Sequence, residues 1–176
     1  MTNRTLVVSI DALITADIPV LRQLPNLGRV MEHASWITDI ECIYPTLTYP
    51  CHATIATGCW PDRTGINNNE IPDFFAKGRM DWYWWREAIQ VPTVVDFARQ
   101  AGLTASTVTW PVMCASGAEY NIGEIWAPRE EDDPTPWFTR ANSPAVAKIF
   151  EANKHMLRWM KTPQMDEFAA KCAADI

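Results

Sequence analysis

Residues 44–69 read YPTLTYPCHATIATGCWPDRTGINNN, and how this stretch is read decides the fold. An apolar, β-leaning run at 40–44 enters a turn marked by Pro45, and a helix-like segment at 51–57 follows, closed by Gly58. Strand, tight turn and helix in that order have the form of a nucleophile elbow. A hydroxyl at the start of such a helix sits where unpaired backbone N–H groups and the positive end of the helix dipole converge. That position suits an anion, and equally a hydroxyl that must react as an alkoxide. Thr48 stands two residues before Pro50, a residue well placed in a first helical turn. It is the candidate nucleophile, and a phosphate is its candidate target.

Upstream, residues 5–10 form a short apolar run ending in Asp11, the pattern of a buried parallel strand with a carboxylate at its carboxyl end. In open α/β sheets ligands bind along that edge, although an Asp there also commonly caps a turn. Residues 18–34 have helical spacing, and Pro25 divides them into two pieces, the second starting at the proline. Residues 35–44 read as a second strand feeding the turn before Thr48. Downstream, periodicity is lost over 73–81, and 82–89 is aromatic-rich, with Trp82, Trp84 and Trp85 expected in core or lid packing. Residues 92–101 predict a helix ended by Gly102, and 103–110 another strand. The acidic stretch 129–136 (REEDDPTP) reads as a solvated loop rather than a metal site. Two further helices are expected, over 143–160 with Ser143 as N-cap and over 162–174. The alternation predicts an α/β fold, a mostly parallel sheet with helices on both faces.

With 176 residues the chain has the length of one domain. Its hydrophobic content of 48% and charged content of 20% are ordinary for a globular protein. The net charge of −6 argues against a nucleic-acid groove. No apolar run approaches a membrane span, and the start MTNRTLVVSID lacks a signal-peptide pattern. The five cysteines, at 42, 51, 59, 114 and 172, form no paired framework and suggest reduced thiols in the cytoplasm. Oligomeric state is left open.

The segment PTLTYPCHATIATGCWPDRTGI resembles the nucleophile segment of the type I phosphodiesterase/nucleotide pyrophosphatase family, within the alkaline phosphatase superfamily. That family reads roughly P-T-x-T-[FY]-P-N-H-x-x-x-x-T-G-x-x-P-x-x-x-G-I, followed by an Asn. The stretches VPTVVDFARQAGLTASTVTWPV and YNIGEIWAP are similar to the same family. The resemblance implies that Thr48 carries a phosphoryl intermediate and that Asn69, 21 positions later, binds the phosphate. It also implies that Asp11 and Thr48 are ligands of two divalent metal ions, zinc being the family's usual choice. Cys51 departs from the family's Asn at a position that is not a ligand. The implied chemistry is phosphoryl transfer from a small-molecule phosphate ester or nucleotide to Thr48, with Asn69 hydrogen-bonded to a non-bridging oxygen.

In that family later motifs of the kind PDxxGH and DHGM, and a further His, complete the metal site. None occurs here, and the three histidines, at 33, 52 and 155, do not replace them. Residues 1–176 are therefore expected to be the amino-terminal part of one alkaline phosphatase-like catalytic domain, inactive alone. Phosphonoacetate hydrolase and phosphomonoesterase activities of the same superfamily are alternatives, as is a non-catalytic scaffold. A sulfatase is disfavoured: Cys59-Trp60-Pro61-Asp62-Arg63 matches C-x-P-x-R, but Thr57-Gly58 precedes the cysteine where sulfatases place it after.

Overall fold

The computed structural model describes residues 4–71, 81–127, 129, 131–158 and 163–176. Most of the expected aperiodic stretch at 73–81, and the ends at 160 and 162 of the two expected carboxy-terminal helices, lie outside them. The chain divides into two compact units, Met1–Cys42 and Ile43–Ile176.

In the first unit a 3-10 turn at Thr15–Asp17 leads into α1 (Ile18–Leu21), and α2 (Pro25–Met31) starts on its proline as expected. Leu24 is extended, the conformation a residue before proline prefers, and this breaks the helix in two. Gly28 is required where the pieces meet, because a Cβ there would lie 2.4 Å from the Arg22 carbonyl oxygen. Trp36 folds back on α2, its Nε1–H donating to the Met31 carbonyl at 3.3 Å under the Arg22 guanidinium. The expected strands at 5–10 and 35–44 are not strands here. Leu6 is 85% exposed and Ile37 77%, and the described residues of this unit contain no ladder for either run to join. An apolar, β-branched run becomes a strand only when neighbours take its backbone groups and cover its faces.

The second unit holds a two-stranded parallel sheet, β1 (Ser106–Trp110) beside β2 (Tyr120–Gly123). The pairing runs Ser106↔Tyr120 to Val108↔Ile122, then shifts so that Trp110 meets Gly123. Thr109, at the shift, has φ 46°. The helices described in this unit are α3 (Thr48–Thr57), α4 (Pro61–Thr64), α5 (Val94–Gln100), α6 (Thr135–Ala141), α7 (Ala147–Asn153) and α8 (Pro163–Asp175), of which α6 packs on β2 and α8 on β1. A parallel sheet with helices agrees with the predicted α/β class, and β1 falls inside its predicted range.

Buried Asn121 ties this unit together. Its Oδ1 accepts from Thr107 Oγ1 at 2.8 Å and from Ser116 Oγ, and its Nδ2 donates to the Ala141 carbonyl at 2.8 Å. The predicted helix over 143–160 is broken into a 3-10 turn at Pro144–Val146, α7 and a second 3-10 turn at Lys154–Met156. Ser143 stands at the predicted N-cap position before Pro144 but makes no side-chain capping bond: its hydroxyl donates to the Glu119 carbonyl at 2.7 Å and accepts the Asn121 N–H at 2.9 Å. Asn153 draws on the Ile149 carbonyl through its side chain, at 3.0 Å. Side chains that compete for backbone groups shorten helices in this way. Phe138, Phe150 and Phe168 close the core on that side, with centroids 5.1–6.4 Å apart.

Candidate functional site

Helix α3 begins at Thr48 itself, earlier than the predicted 51, and ends on Gly58, left-handed at φ 67°. Leu47 is the N-cap and offers no side-chain oxygen, so the first turn needs acceptors from elsewhere. Asn69 supplies one. Its Oδ1 accepts the Tyr49 N–H at 2.9 Å, capping the helix from 20 residues away in sequence. Pro50 brings no N–H, so the set of first-turn donors is smaller than in an ordinary helix.

Asn69 is itself held. Its N–H donates to Asn68 Oδ1 at 2.8 Å and its carbonyl accepts the Tyr83 N–H at 3.0 Å. The Glu70–Trp82 antiparallel bridge and the Ile71 N–H to Asp81 carbonyl bond at 2.7 Å continue this pairing. With Oδ1 used on Tyr49, the amide presents its two N–H bonds as donors. The structure thus brings the half-buried Thr48 and Asn69 to the same helix terminus.

Below this terminus lies an aromatic block. Fully buried Tyr49 meets Trp82 and Trp84 edge-on at 5.3 and 6.0 Å, and Trp126 packs on both tryptophans. Trp82 and Trp84 therefore sit in core packing, as expected. Burial, followed by the nearby Glu124 carboxylate, pushes the Tyr49 phenol well above its ordinary range. The same two causes raise the Cys114 thiol.

Asp11 belongs to the first unit. It follows the extended run and has its Oδ1 within 3.1 Å of the Ala12 N–H, with Ala12 left-handed at φ 58°. The Leu13 N–H donates to the Ile10 carbonyl at 3.4 Å and closes a turn around this pair, so Asp11 stands in a turn at the carboxyl end of the apolar run. Among the described residues no group of three or more His, Cys, Asp or Glu side chains could hold a metal ion. One carboxylate and one hydroxyl fall short of the donors that a zinc site takes. The acidic loop at 129–136 is no exception: Asp133 caps the Thr135 N–H at 2.9 Å and Arg129 pairs with Asp132.

Cys59 lies beyond the opposite end of α3, past Gly58. A helix of this length spans about 15 Å, so the C-x-P-x-R match is not at the terminus that Thr48 and Asn69 share. Cys59, like the buried Cys114 and Cys172, is a free thiol.

The family model for type I phosphodiesterase / nucleotide pyrophosphatase matches residues 5–168, nearly the whole chain. The chain belongs to the type I phosphodiesterase/nucleotide pyrophosphatase family. Among its relatives, human bis(5'-adenosyl)-triphosphatase ENPP4 is 27% identical over 114 residues, which is 61% of this chain and 24% of that protein. Human ectonucleotide pyrophosphatase/phosphodiesterase family member 1 is 28% identical over 112 residues, 58% of this chain and 11% of its own length. Venom phosphodiesterase 2 of Crotalus adamanteus is 26% identical over 151 residues, 80% of this chain and 16% of its own. This family member thus spans a quarter or less of the length of these curated relatives. No solved structure matches it significantly.

Two residues at the site were not singled out from sequence. His52 places Nδ1 2.7 Å from the Thr48 carbonyl oxygen, and Trp110 donates its Nε1–H to the His52 carbonyl at 3.3 Å. The first was discoverable, since residues four apart share a helix face. The second depends on where β1 ends, which no local pattern encodes.

Proposed function

We propose that this chain carries the nucleophile of a metal-dependent hydrolase of phosphodiester or nucleotide pyrophosphate bonds. The observation that carries the proposal is the joint placement of Thr48 at the first position of α3 and of the Asn69 amide against the next N–H. Thr48 Oγ1 attacks phosphorus, a Thr–O–P bond forms and the bond to the leaving oxygen breaks. Water then hydrolyses the phospho-threonine and restores the hydroxyl. Asn69 donates an N–H to a non-bridging oxygen as its charge grows. The family and the names of the relatives, a bis(5'-adenosyl)-triphosphatase and phosphodiesterases, support a small nucleotide or diester as substrate.

Two divalent ions, zinc on the resemblance, belong to this proposal, with Asp11 and Thr48 as the ligands this chain contributes. Such ions supply the positive charge that lets a hydroxyl ionise near neutral pH. The remaining ligands we assign to a longer polypeptide, and the 176 residues alone are expected to be inactive.

The test assays this chain and a longer form, each with zinc, on bis-p-nitrophenyl phosphate and p-nitrophenyl phosphate. Diesterase activity in the longer form alone, lost in Thr48→Ala and trapped as phospho-threonine on acid quench, is the expected result. Preference for the monoester would move the assignment to a phosphomonoesterase. Hydrolysis of phosphonoacetate with silence on both esters would move it to a phosphonate hydrolase. Full activity in Thr48→Ala would end the proposal.

A further inference from the structure

Helix α3 is gripped near Thr48 by two contacts that the chemistry above does not use. A carbonyl oxygen only accepts, so the 2.7 Å approach of His52 Nδ1 to the Thr48 carbonyl places the ring proton on Nδ1. The His52 ring is in turn met edge-on by Trp110, with centroids 5.2 Å apart and planes at 79°. The Trp110 indole N–H closes the loop by donating to the His52 backbone carbonyl at 3.3 Å. His52 is 7% exposed, so the ring is locked between the helix and the strand end rather than swinging in solvent.

The strand is irregular at this place. The register slips between Val108 and Trp110, and Thr109 takes a left-handed φ of 46°, which a β-branched residue adopts only at a cost. A bulge re-aims the side chain that follows it, here the indole that reaches α3.

We propose that His52 and Trp110 are positioning residues: together they fix the backbone of Thr48, and hence the direction of its hydroxyl, from the carboxyl end of β1. The proposal rests on Thr48 being the nucleophile, but the contact itself is tested without turnover.

Hydrogen exchange on this chain reads the Tyr49 amide, which Asn69 protects in the same helical turn, against Ile122 in β2. In His52→Ala and Trp110→Phe the Tyr49 amide is expected to exchange about tenfold faster while Ile122 is unchanged. Asn at position 52 puts a side-chain N–H at the same number of bonds from the backbone as Nδ1, whereas Gln does not. His52→Asn is therefore expected to restore Tyr49 protection, and His52→Gln to fail. In the active longer form, His52→Ala is expected to lower kcat about 10- to 100-fold with KM within about threefold, and His52→Asn to recover most of it.

Unchanged Tyr49 exchange in His52→Ala overturns the proposal. So does equal rescue by Asn and Gln, or loss of Ile122 protection together with Tyr49, since a merely structural role gives those patterns. If Thr48→Ala keeps full activity in the longer form, the assignment of Thr48 fails, and the exchange pattern still decides whether the brace exists.

Discussion

Asn69 performs two tasks with the two ends of one amide, and a single substitution separates them. Its Oδ1 takes the Tyr49 N–H at 2.9 Å, while its N–H bonds are those assigned to the phosphate. Replacement by Asp keeps an oxygen for Tyr49 and adds a charge that the helix dipole favours, a gain of about 0.3–1 kcal/mol. It also deletes the donor and sets a carboxylate against an anion. Replacement by Ala removes both ends and leaves the Tyr49 N–H unsatisfied, a loss of about 1–2 kcal/mol. In a chain of this size that corresponds to a fall in Tm of about 2–8 °C. Thermal unfolding of this chain should therefore rank Asn69→Asp at or above the wild type and Asn69→Ala below it. Diesterase assays of the longer form should rank them differently, with both reduced at least about 100-fold, the scale of one lost oxyanion donor. Wild-type turnover in Asn69→Asp would refute the donor role. A Tm for Asn69→Asp as low as that of Asn69→Ala would refute the cap.

Other outcomes follow from other parts of the molecule. Burial works against ionisation of Asp96, yet Arg86 at 2.6 Å and the Thr93 N–H and hydroxyl hold its carboxyl below the ordinary value. Its stabilisation is thus present above the unfolded pKa of about 4 and fades as acid protonates the folded carboxylate. Asp96→Asn should cost about 1–3 kcal/mol at pH 7 and flatten the acid limb of urea midpoints below about pH 4. An unchanged limb would assign acid sensitivity to other groups. A Cβ on Gly123 would stand 2.7 Å from Cys114 Sγ and 2.8 Å from Ala141 Cβ, so Gly123→Ala should lose about 1–3 kcal/mol in chemical denaturation. Asp11→Asn should lower the metal content of the longer form as well as its rate; unchanged stoichiometry by elemental analysis would leave Asp11 a turn residue only. Cys59→Ala should retain nearly full activity, and its loss would reopen the sulfatase assignment.

Local chemistry made several elements legible. Pro25 opens α2, Gly58 and Gly102 take the left-handed conformation beyond α3 and α5, and the β-branched run before Trp110 forms β1. The runs at 5–10 and 35–44 are not strands, because the pattern of an interior strand states what a segment could bury, not whether a ladder is there to receive it. The helix over 143–160 failed for another reason: Ser143 and Asn153 spend their side chains on β2, α7 and Asp175 instead of on continuous helix. At the site, Thr48 and Asn69 could be named from their motif. The bond from Asn69 to the Tyr49 N–H could not, because it depends on 69–71 lying beside 81–83, a pairing without periodicity. The Trp110 contact was hidden likewise, since a bulge carries no composition of its own.

The Asn121 cluster has a consequence for how the chain acquires its shape. β1 and β2 are parallel yet joined only by residues 111–119, shorter than the helical crossover such pairs usually need. Val112, Ala115 and Gly117 turn the chain through left-handed conformations within that span, and Ser116 reaches Asn121 from inside it. Closing a short loop forfeits little chain entropy, so this pair is free of the delay that distant partners impose on parallel sheets. It can serve as an early seed on which α6 docks through Asn121 and Ala141, and φ-values at Ile122 higher than at Phe168 would be its kinetic signature.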